Sequence, residues 1–252
     1  MTKNRIALIT GATSGIGEAT ARLLAKNNFS LILCGRREDK LQSLKHELTA
    51  LTSVITLCFD VRSKEDVKKQ LNSLTEEWRE IDVLINNAGN AHGLDPIQSA
   101  NIDDWDAMID INVKGLLYVS REILPAMVSK KKGHVINLGS IAAKQAYANG
   151  SVYCASKAAV DSITEGMRID LNPYGIKVTS IHPGMVETEF SLVRFKGDKE
   201  RADSVYKGLA PLSANDIADV ILYTLNCPPH VVIADLVILP LAQASATVVK
   251  RS

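Results

Sequence analysis

Thr10-Gly11-Ala12-Thr13-Ser14-Gly15-Ile16-Gly17 follows the short apolar run Ile6-Ala7-Leu8-Ile9 and opens a segment of helical spacing. Glycines let a backbone turn tightly and approach a pyrophosphate closely, and a helix N-terminus supplies unpaired N–H groups and the positive end of a dipole. The pattern G-x-x-x-G-x-G after a first strand therefore predicts a phosphate cradle, with Gly11, Thr13, Ser14, Gly15, Ile16 and Gly17 around a dinucleotide.

The rest of the chain repeats that alternation. Arg5–Ile9, Ser30–Cys34, Val54–Cys58, Val83–Ile85, His134–Leu138, Lys177–Ile181 and Val231–Leu239 read as strands. Continuous apolar runs suit a parallel sheet covered on both faces. Between them, Glu38–Leu51 carries Leu41, Leu44, Leu48 and Leu51 at helical spacing, and Ser63–Trp78 carries Val67, Leu71, Leu74 and Trp78. Asp103–Val128 and Val152–Leu171 are longer helices. Strand and helix in alternation imply an α/β, doubly wound parallel sheet. No repeat or linker divides residues 1–252, so one domain is expected, with a lid insertion at about 186–212.

Composition narrows the function. The 252 residues hold 29 Lys+Arg against 28 Asp+Glu, 46% hydrophobic and 5% aromatic residues. A net charge of +1 argues against a nucleic-acid partner, and the apolar content against disorder. The four cysteines and five histidines are scattered without Cys-x-x-Cys or His-Glu-x-x-His, so no metal and no disulfide is expected. Lys3 and Arg5 precede an apolar run too short for a secretion signal, and Val231 to Ala242 is about half a membrane span and interrupted by Asp235 and Pro240. A soluble cytoplasmic protein is expected, with no membrane partner.

The second strand ends Cys34-Gly35-Arg36-Arg37. Two guanidiniums there would pair with a 2′-phosphate that a carboxylate would repel, which favours NADP(H) over NAD. Cations at a helix start oppose the dipole, a small cost that points the same way. Asp60, after the third strand, is placed for an adenine amino group or for a turn. Tyr153 and Lys157 stand four apart on one helix face, and Ser140 lies in the loop ahead of that helix. Asn86-Asn87-Ala88-Gly89 follows the fourth strand.

These elements together, Thr10 to Gly17, Asn86 to Gly89, Asn112, Ser140, Tyr153-x-x-x-Lys157 and Pro183-Gly184, resemble the short-chain dehydrogenase/reductase family over essentially the whole length. Glu189-Phe190-Ser191, Val193 to Asp198 and Leu239-Pro240 resemble its NADP-dependent 3-hydroxy acid dehydrogenase branch, which oxidises serine, L-allo-threonine and related acids. The resemblance implies a Rossmann-type fold and a catalytic set of Asn112, Ser140, Tyr153 and Lys157. It also implies cofactor contacts from Val61, Asn87, Ala88, Gly89, Pro183, Gly184, Val186 and Thr188, with Tyr153 and Lys157 shared. Asn112 would hold a water linked to Lys157. A homotetramer is implied, with the two long helices at its interface.

The chemistry expected of such a set is acid–base catalysis. A tyrosine with its ordinary pKa near ~10 is a poor base at neutral pH, and the Lys157 ammonium together with the positive nicotinamide of the oxidised cofactor should lower it. Ser140 would orient the substrate oxygen. A small anionic substrate needs its charge matched, and Arg194 in the lid is the expected partner, with Gln145 and Tyr147 lining the pocket opposite. Other readings stay open: reduction of sulfoacetaldehyde, a 3-oxoacyl carrier or a ring ketone, or NADP sensing without catalysis.

Overall fold

Along each inner strand, side chains alternate between two apolar faces, and both faces are covered. In a computed structural model that describes residues 4–252, Ala7 and Ile9 point into one core with Leu31, Leu33, Val83 and Ile85. Ile6 and Leu8 point into the other with Ile32, Leu84, Val135 and Val178. Burying each such Val, Leu or Ile side chain contributes about 1.5–3 kcal/mol, which is why runs without polar alternation became inner strands. Lys3, counted with Arg5 ahead of the first run, lies outside the described residues.

The strands are β1 Arg5–Thr10, β2 Phe29–Gly35, β3 Val54–Cys58, β4 Val83–Asn86, β5 Gly133–Leu138, β6 Ile176–Pro183 and β7 Asp235–Ile238. They form one parallel sheet in the order β3-β2-β1-β4-β5-β6-β7. Helices are α1 Gly15–Lys26, α2 Glu38–Leu48, α3 Lys64–Asn72, α4 Glu76–Arg79, α5 Ile102–Ile109, α6 Gly115–Lys130, α7 Ser151–Leu171, α8 Phe190–Arg194, α9 Lys199–Ser204 and α10 Ala214–Leu225. The order reverses between β1 and β4, and a crevice opens there beyond the carboxyl ends of the strands.

Three boundaries differ from the sequence reading. The Ser63–Trp78 segment is two helices, because the Ser73 N–H closes onto the Lys69 and Gln70 carbonyls and the chain turns before Glu76. The long segment from Asp103 to Val128 is broken by a π-helical turn, Asp110–Lys114, between α5 and α6. The last strand begins at Asp235 instead of Val231: Pro228-Pro229 precede a turn in which the Val231 N–H bonds the Pro228 carbonyl, and β7 pairs only from Ser180↔Asp235 onward. No helix among the described residues is long and apolar enough to cross a membrane.

The segment read as a lid is an insertion whose two ends are tied together. The Glu187 N–H bonds the Leu212 carbonyl at 2.8 Å, and the Leu212 N–H bonds the Met185 carbonyl at 2.9 Å. α10 then begins at a capping box, with the Ser213 hydroxyl accepting from the Asp216 N–H while the Asp216 carboxylate accepts from the Ser213 N–H.

Candidate active site

The cradle turns at Gly11 and Gly15, whose φ angles of +66° and +53° lie in the left-handed region. A side chain at Gly11 would also meet the Ala88 backbone at 2.9 Å, and one at Gly17 would collide with the Gly11 carbonyl and the Asn87 amide. Asn87 explains that crowding: its side-chain N–H donates to the carbonyls of Thr10 and Gly11 at 2.9 and 3.1 Å. The Thr10 hydroxyl accepts from the Asn87 and Ala88 N–H groups. β4 thus ties down the loop after β1. Ser14 caps α1 from an extended conformation without a side-chain bond to the helix, leaving the first-turn N–H groups for a ligand.

Arg36, Arg37, Asp60 and Val61 line the same cavity, of about 540 Å³, as do Gly11, Thr13, Ser14, Gly15 and Ile16. Gly17 does not; it packs behind the turn. Arg37 donates to the Thr13 carbonyl at 3.0 Å and pairs with Glu189 of the lid at 2.9 Å. Arg36 stands 3.6 Å from Asp60, whose carboxylate is gripped at 2.6 Å by Arg62. Although partial burial opposes it, that Arg62 grip, with Arg36 nearby, holds Asp60 below the usual carboxylate range. Three guanidiniums, Arg36, Arg37 and Arg62, against two carboxylates, Asp60 and Glu189, leave this corner with a net positive charge, which fits the 2′-phosphate of NADP(H). Asn87, Ala88, Gly89, Pro183, Gly184, Val186 and Thr188 complete the wall.

Ser140, Tyr153 and Lys157 all line the cavity at its other end. Ser140 follows β5, and its hydroxyl accepts from the Ala142 N–H at 3.1 Å. Tyr153 and Lys157 lie on the first turns of α7, both buried. Lys157 Nζ donates to the Leu138 carbonyl at 2.9 Å, and burial lowers its pKa to about 8. Burial and neighbouring Tyr147 push the Tyr153 phenol up, with the Ser140 hydroxyl and Arg194 pulling the other way. On balance the protein's own groups shift the phenol upward. Asn112 sits in the middle of the π-helical turn and does not line the cavity. Its amide clamps both backbone groups of Asn90 at 2.9 Å and donates to Ser156 at 3.0 Å. Both of its N–H bonds are thus engaged by protein.

Residues of the insertion before α10, among them Thr188, Glu189, Phe190 and Arg194, line the cavity. Arg194 donates to the Tyr147 hydroxyl at 2.7 Å and to the Gly93 carbonyl at 3.3 Å, and its guanidinium is 5.3 Å from the centre of the Tyr153 ring. Lys196 pairs with Asp104 at 2.9 Å, so the lid is also pinned to α5. Tyr147 lines the cavity, as expected. Gln145 does not: its side-chain oxygen accepts from the Ala246 N–H and so holds the C-terminal segment instead.

Several contributors were missed. Glu189 links the lid to Arg37, Phe190 packs 5.7 Å from the Tyr153 ring, and Gly93 receives the Arg194 side chain. His182 reaches the Ser140 backbone from β6. Glu189 and Phe190 stand among the residues that resemble the 3-hydroxy acid branch, but these contacts, like those of Gly93 and His182, depend on partners far away in sequence.

Comparison with known proteins agrees with this geometry. A family model described as short chain dehydrogenase matches residues 5–198. An NADP-dependent 3-hydroxy acid dehydrogenase of Salmonella typhi is 44% identical, over 96% of this chain and 97% of its own length. Sulfoacetaldehyde reductase 2 of Chromohalobacter salexigens is also 44% identical, over 98% of both chains. Among solved structures, the closed form of serine dehydrogenase complexed with NADP+ has a TM-score of 0.92 at 42% identity, covering 98% of this chain and 100% of that one. By fold, motif and similarity along nearly its full length, this chain belongs to the short chain dehydrogenase family.

Proposed function

We propose that the protein is an NADP(H)-dependent oxidoreductase that interconverts a small 3-hydroxy acid, of the serine, L-allo-threonine or 3-hydroxypropionate type, and its oxo form. The observation that carries the substrate class is Arg194, a cation in the cavity wall against the Tyr153 ring. A carbonyl bound beside Tyr153 with a carboxylate two bonds further on would present that charge to the guanidinium. Arg194 Nη1 has no hydrogen-bond partner among the described residues, so a donor remains for it.

The roles follow from placement. The cradle from Gly11 to Gly17 and the arginines at 36 and 37 would hold the diphosphate and the 2′-phosphate, and Thr188 and Val186 the nicotinamide end. When bound, the cofactor supplies the hydride for reduction or accepts it in oxidation. Ser140 donates a hydrogen bond to the substrate oxygen and orients it. In reduction Tyr153 delivers its phenolic proton to that oxygen; in oxidation the phenolate takes it back. Lys157, with a pKa of about 8, is mainly an ammonium at pH 7 and stabilises the phenolate while it exists. Asn112 keeps the segment around Asn90 in place beside Gly89 and Lys157.

Sulfoacetaldehyde is the second reading, because the same guanidinium would pair with a sulfonate and a relative bears that name. A cofactor sensor without catalysis is disfavoured by the intact set of Ser140, Tyr153 and Lys157. The assembly expected with this function is a homotetramer built on α5, α6 and α7, which expose Ile102, Leu117 and Ile169. Free thiols at Cys34, Cys58, Cys154 and Cys227 support action in a reducing compartment such as the cytoplasm.

The test is turnover of short 3-hydroxy and 3-oxo acids with NADP(H) and NAD(H), in the wild type and in Tyr153→Phe. Loss of the acid–base group should lower kcat by about 10²–10⁴-fold while NADPH still binds. Near wild-type rates in Tyr153→Phe would refute the mechanism.

A further inference from the structure

Behind Ser140, on the side away from the cavity, four charged or titratable side chains from three elements and the loop after β5 meet. His182 of β6 is fully buried, and its ring fills the space over Gly139 where a side chain would collide. Its Nδ1 faces both backbone groups of Ser140, 3.3 Å from the nitrogen and 3.1 Å from the oxygen. Its Nε2 lies 3.2 Å from one oxygen of Asp161 on α7 and 3.2 Å from one oxygen of Asp235 at the start of β7. The Lys144 ammonium bridges the other oxygens of those carboxylates at 2.8 and 2.5 Å.

The proton placement follows from these neighbours. A lone pair on Nε2 between two carboxylates would be repelled, so Nε2 carries the proton and shares it between them, without good alignment to either. Burial and Lys144 favour the neutral ring, whose Nδ1 then accepts from the Ser140 N–H. A ring protonated at Nδ1 would donate to the Ser140 carbonyl instead. In both states the imidazole grips the backbone of the same residue.

We propose that His182 is a positioning residue for the reaction: held by Asp161, Asp235 and Lys144, it fixes the Ser140 backbone and so aims the Ser140 hydroxyl at the substrate oxygen. The proposal rests on the role of Ser140 given above. Asp161 lies one turn beyond Lys157 on α7, and Lys144 follows Ser140 by one short turn. The cluster therefore ties the helix that carries Tyr153 and Lys157 to the loop that carries Ser140. Asp161, His182 and Asp235 alone would make a plausible metal-ligand set, but Lys144 already supplies the cation at their centre.

The experiment is a double-mutant cycle with Ser140→Ala, read as kcat on a 3-oxo acid, with NADPH titration to count sites. His182→Gln keeps a donor near the Nε2 position and loses the Ser140 side; His182→Asn keeps an acceptor near the Nδ1 position. Because a small misplacement of a reacting group is costly, His182→Gln should lower kcat about tenfold or more with NADPH affinity unchanged, and His182→Asn should recover most of it. In the Ser140→Ala background the same His182→Gln change should cost less than about twofold, since the two act through one hydroxyl.

A loss that persists undiminished in Ser140→Ala would overturn the relay while leaving Ser140 itself in place. Wild-type turnover by Ser140→Ala would overturn the role of Ser140 and the relay with it. Should the His182 variants not fold, Asp235→Asn at the cluster's more exposed rim is expected to lower kcat by a smaller factor, again only while Ser140 is present. Chelator-sensitive turnover restored by zinc would overturn Lys144 as the cation of the cluster.

Discussion

The cradle after β1 and the lid before α10 do comparable jobs by opposite means. The cradle is built of backbone: glycines at positive φ, N–H groups at the start of α1, and the Asn87 amide on the Thr10 and Gly11 carbonyls. The lid is built of long side chains that reach across the cleft: Glu189 to Arg37, Arg194 to Tyr147 and Gly93, Lys196 to Asp104. A backbone site recognises what every dinucleotide shares. A side-chain site can be changed residue by residue, so the proposed selectivity for one cofactor phosphate or one substrate anion would reside there.

Replacing both arginines of the cleft should expose that division most strongly. With each charge-assisted contact contributing about 1.5–3 kcal/mol, Arg36→Ala with Arg37→Ala should weaken NADPH by roughly 10² or more and leave NADH nearly unchanged. Equal weakening of both cofactors, measured by fluorescence titration, would place the discrimination elsewhere.

Lys157 sharpens the contrast from the stability side. Its folded pKa, about 8, lies below its ordinary value of 10.5, so the folded protein resists the charge. That penalty is present in full below pH 8 and disappears as pH rises past the ordinary value, where the unfolded chain also loses the proton. Lys157→Met should therefore raise Tm at pH 7, by an amount that shrinks toward pH 10.5, while abolishing turnover. A Tm advantage independent of pH would show that packing, not charge, is responsible.

The smallest effect is expected at the latch between the two regions. Arg37 and Glu189 are both well exposed, and such pairs are worth about 0.2–1 kcal/mol. Glu189→Gln frees Arg37 for the 2′-phosphate and should tighten NADPH binding by less than about fivefold, without affecting NADH. Weaker NADPH binding in Glu189→Gln would mean that the ion pair organises the site instead of competing for it.

The two regions also differ in how much of each was legible in the sequence. Thr10 to Gly17 could be read because its constraints are local: a turn, a close approach and a helix start within eight residues. The seven strands were legible because both faces of the sheet are apolar, and the late start of β7 was not, since Val231 to Ile233 are apolar without pairing. Tyr153 and Lys157 were legible as a pair one turn apart. Arg194 was singled out for its charge, but its aromatic enclosure and the Gly93 contact depend on residues about fifty and a hundred positions away. Gln145 was misplaced for the same reason, its partner being Ala246. His182 had no signal at all: an imidazole in an apolar strand looks like any buried histidine until Asp161, Asp235 and Lys144 are brought around it.

The central claim is that the backbone cradle serves the cofactor while Arg194 serves the acid. The most direct measurement is NADPH-dependent reduction of a 3-oxo acid and its methyl ester by the wild type and Arg194→Ala. The account predicts that kcat/KM on the acid falls by about 10-fold to 10²-fold, the worth of one charge-assisted contact, with the ester and the NADPH affinity nearly unchanged. An equal fall on acid and ester would contradict it.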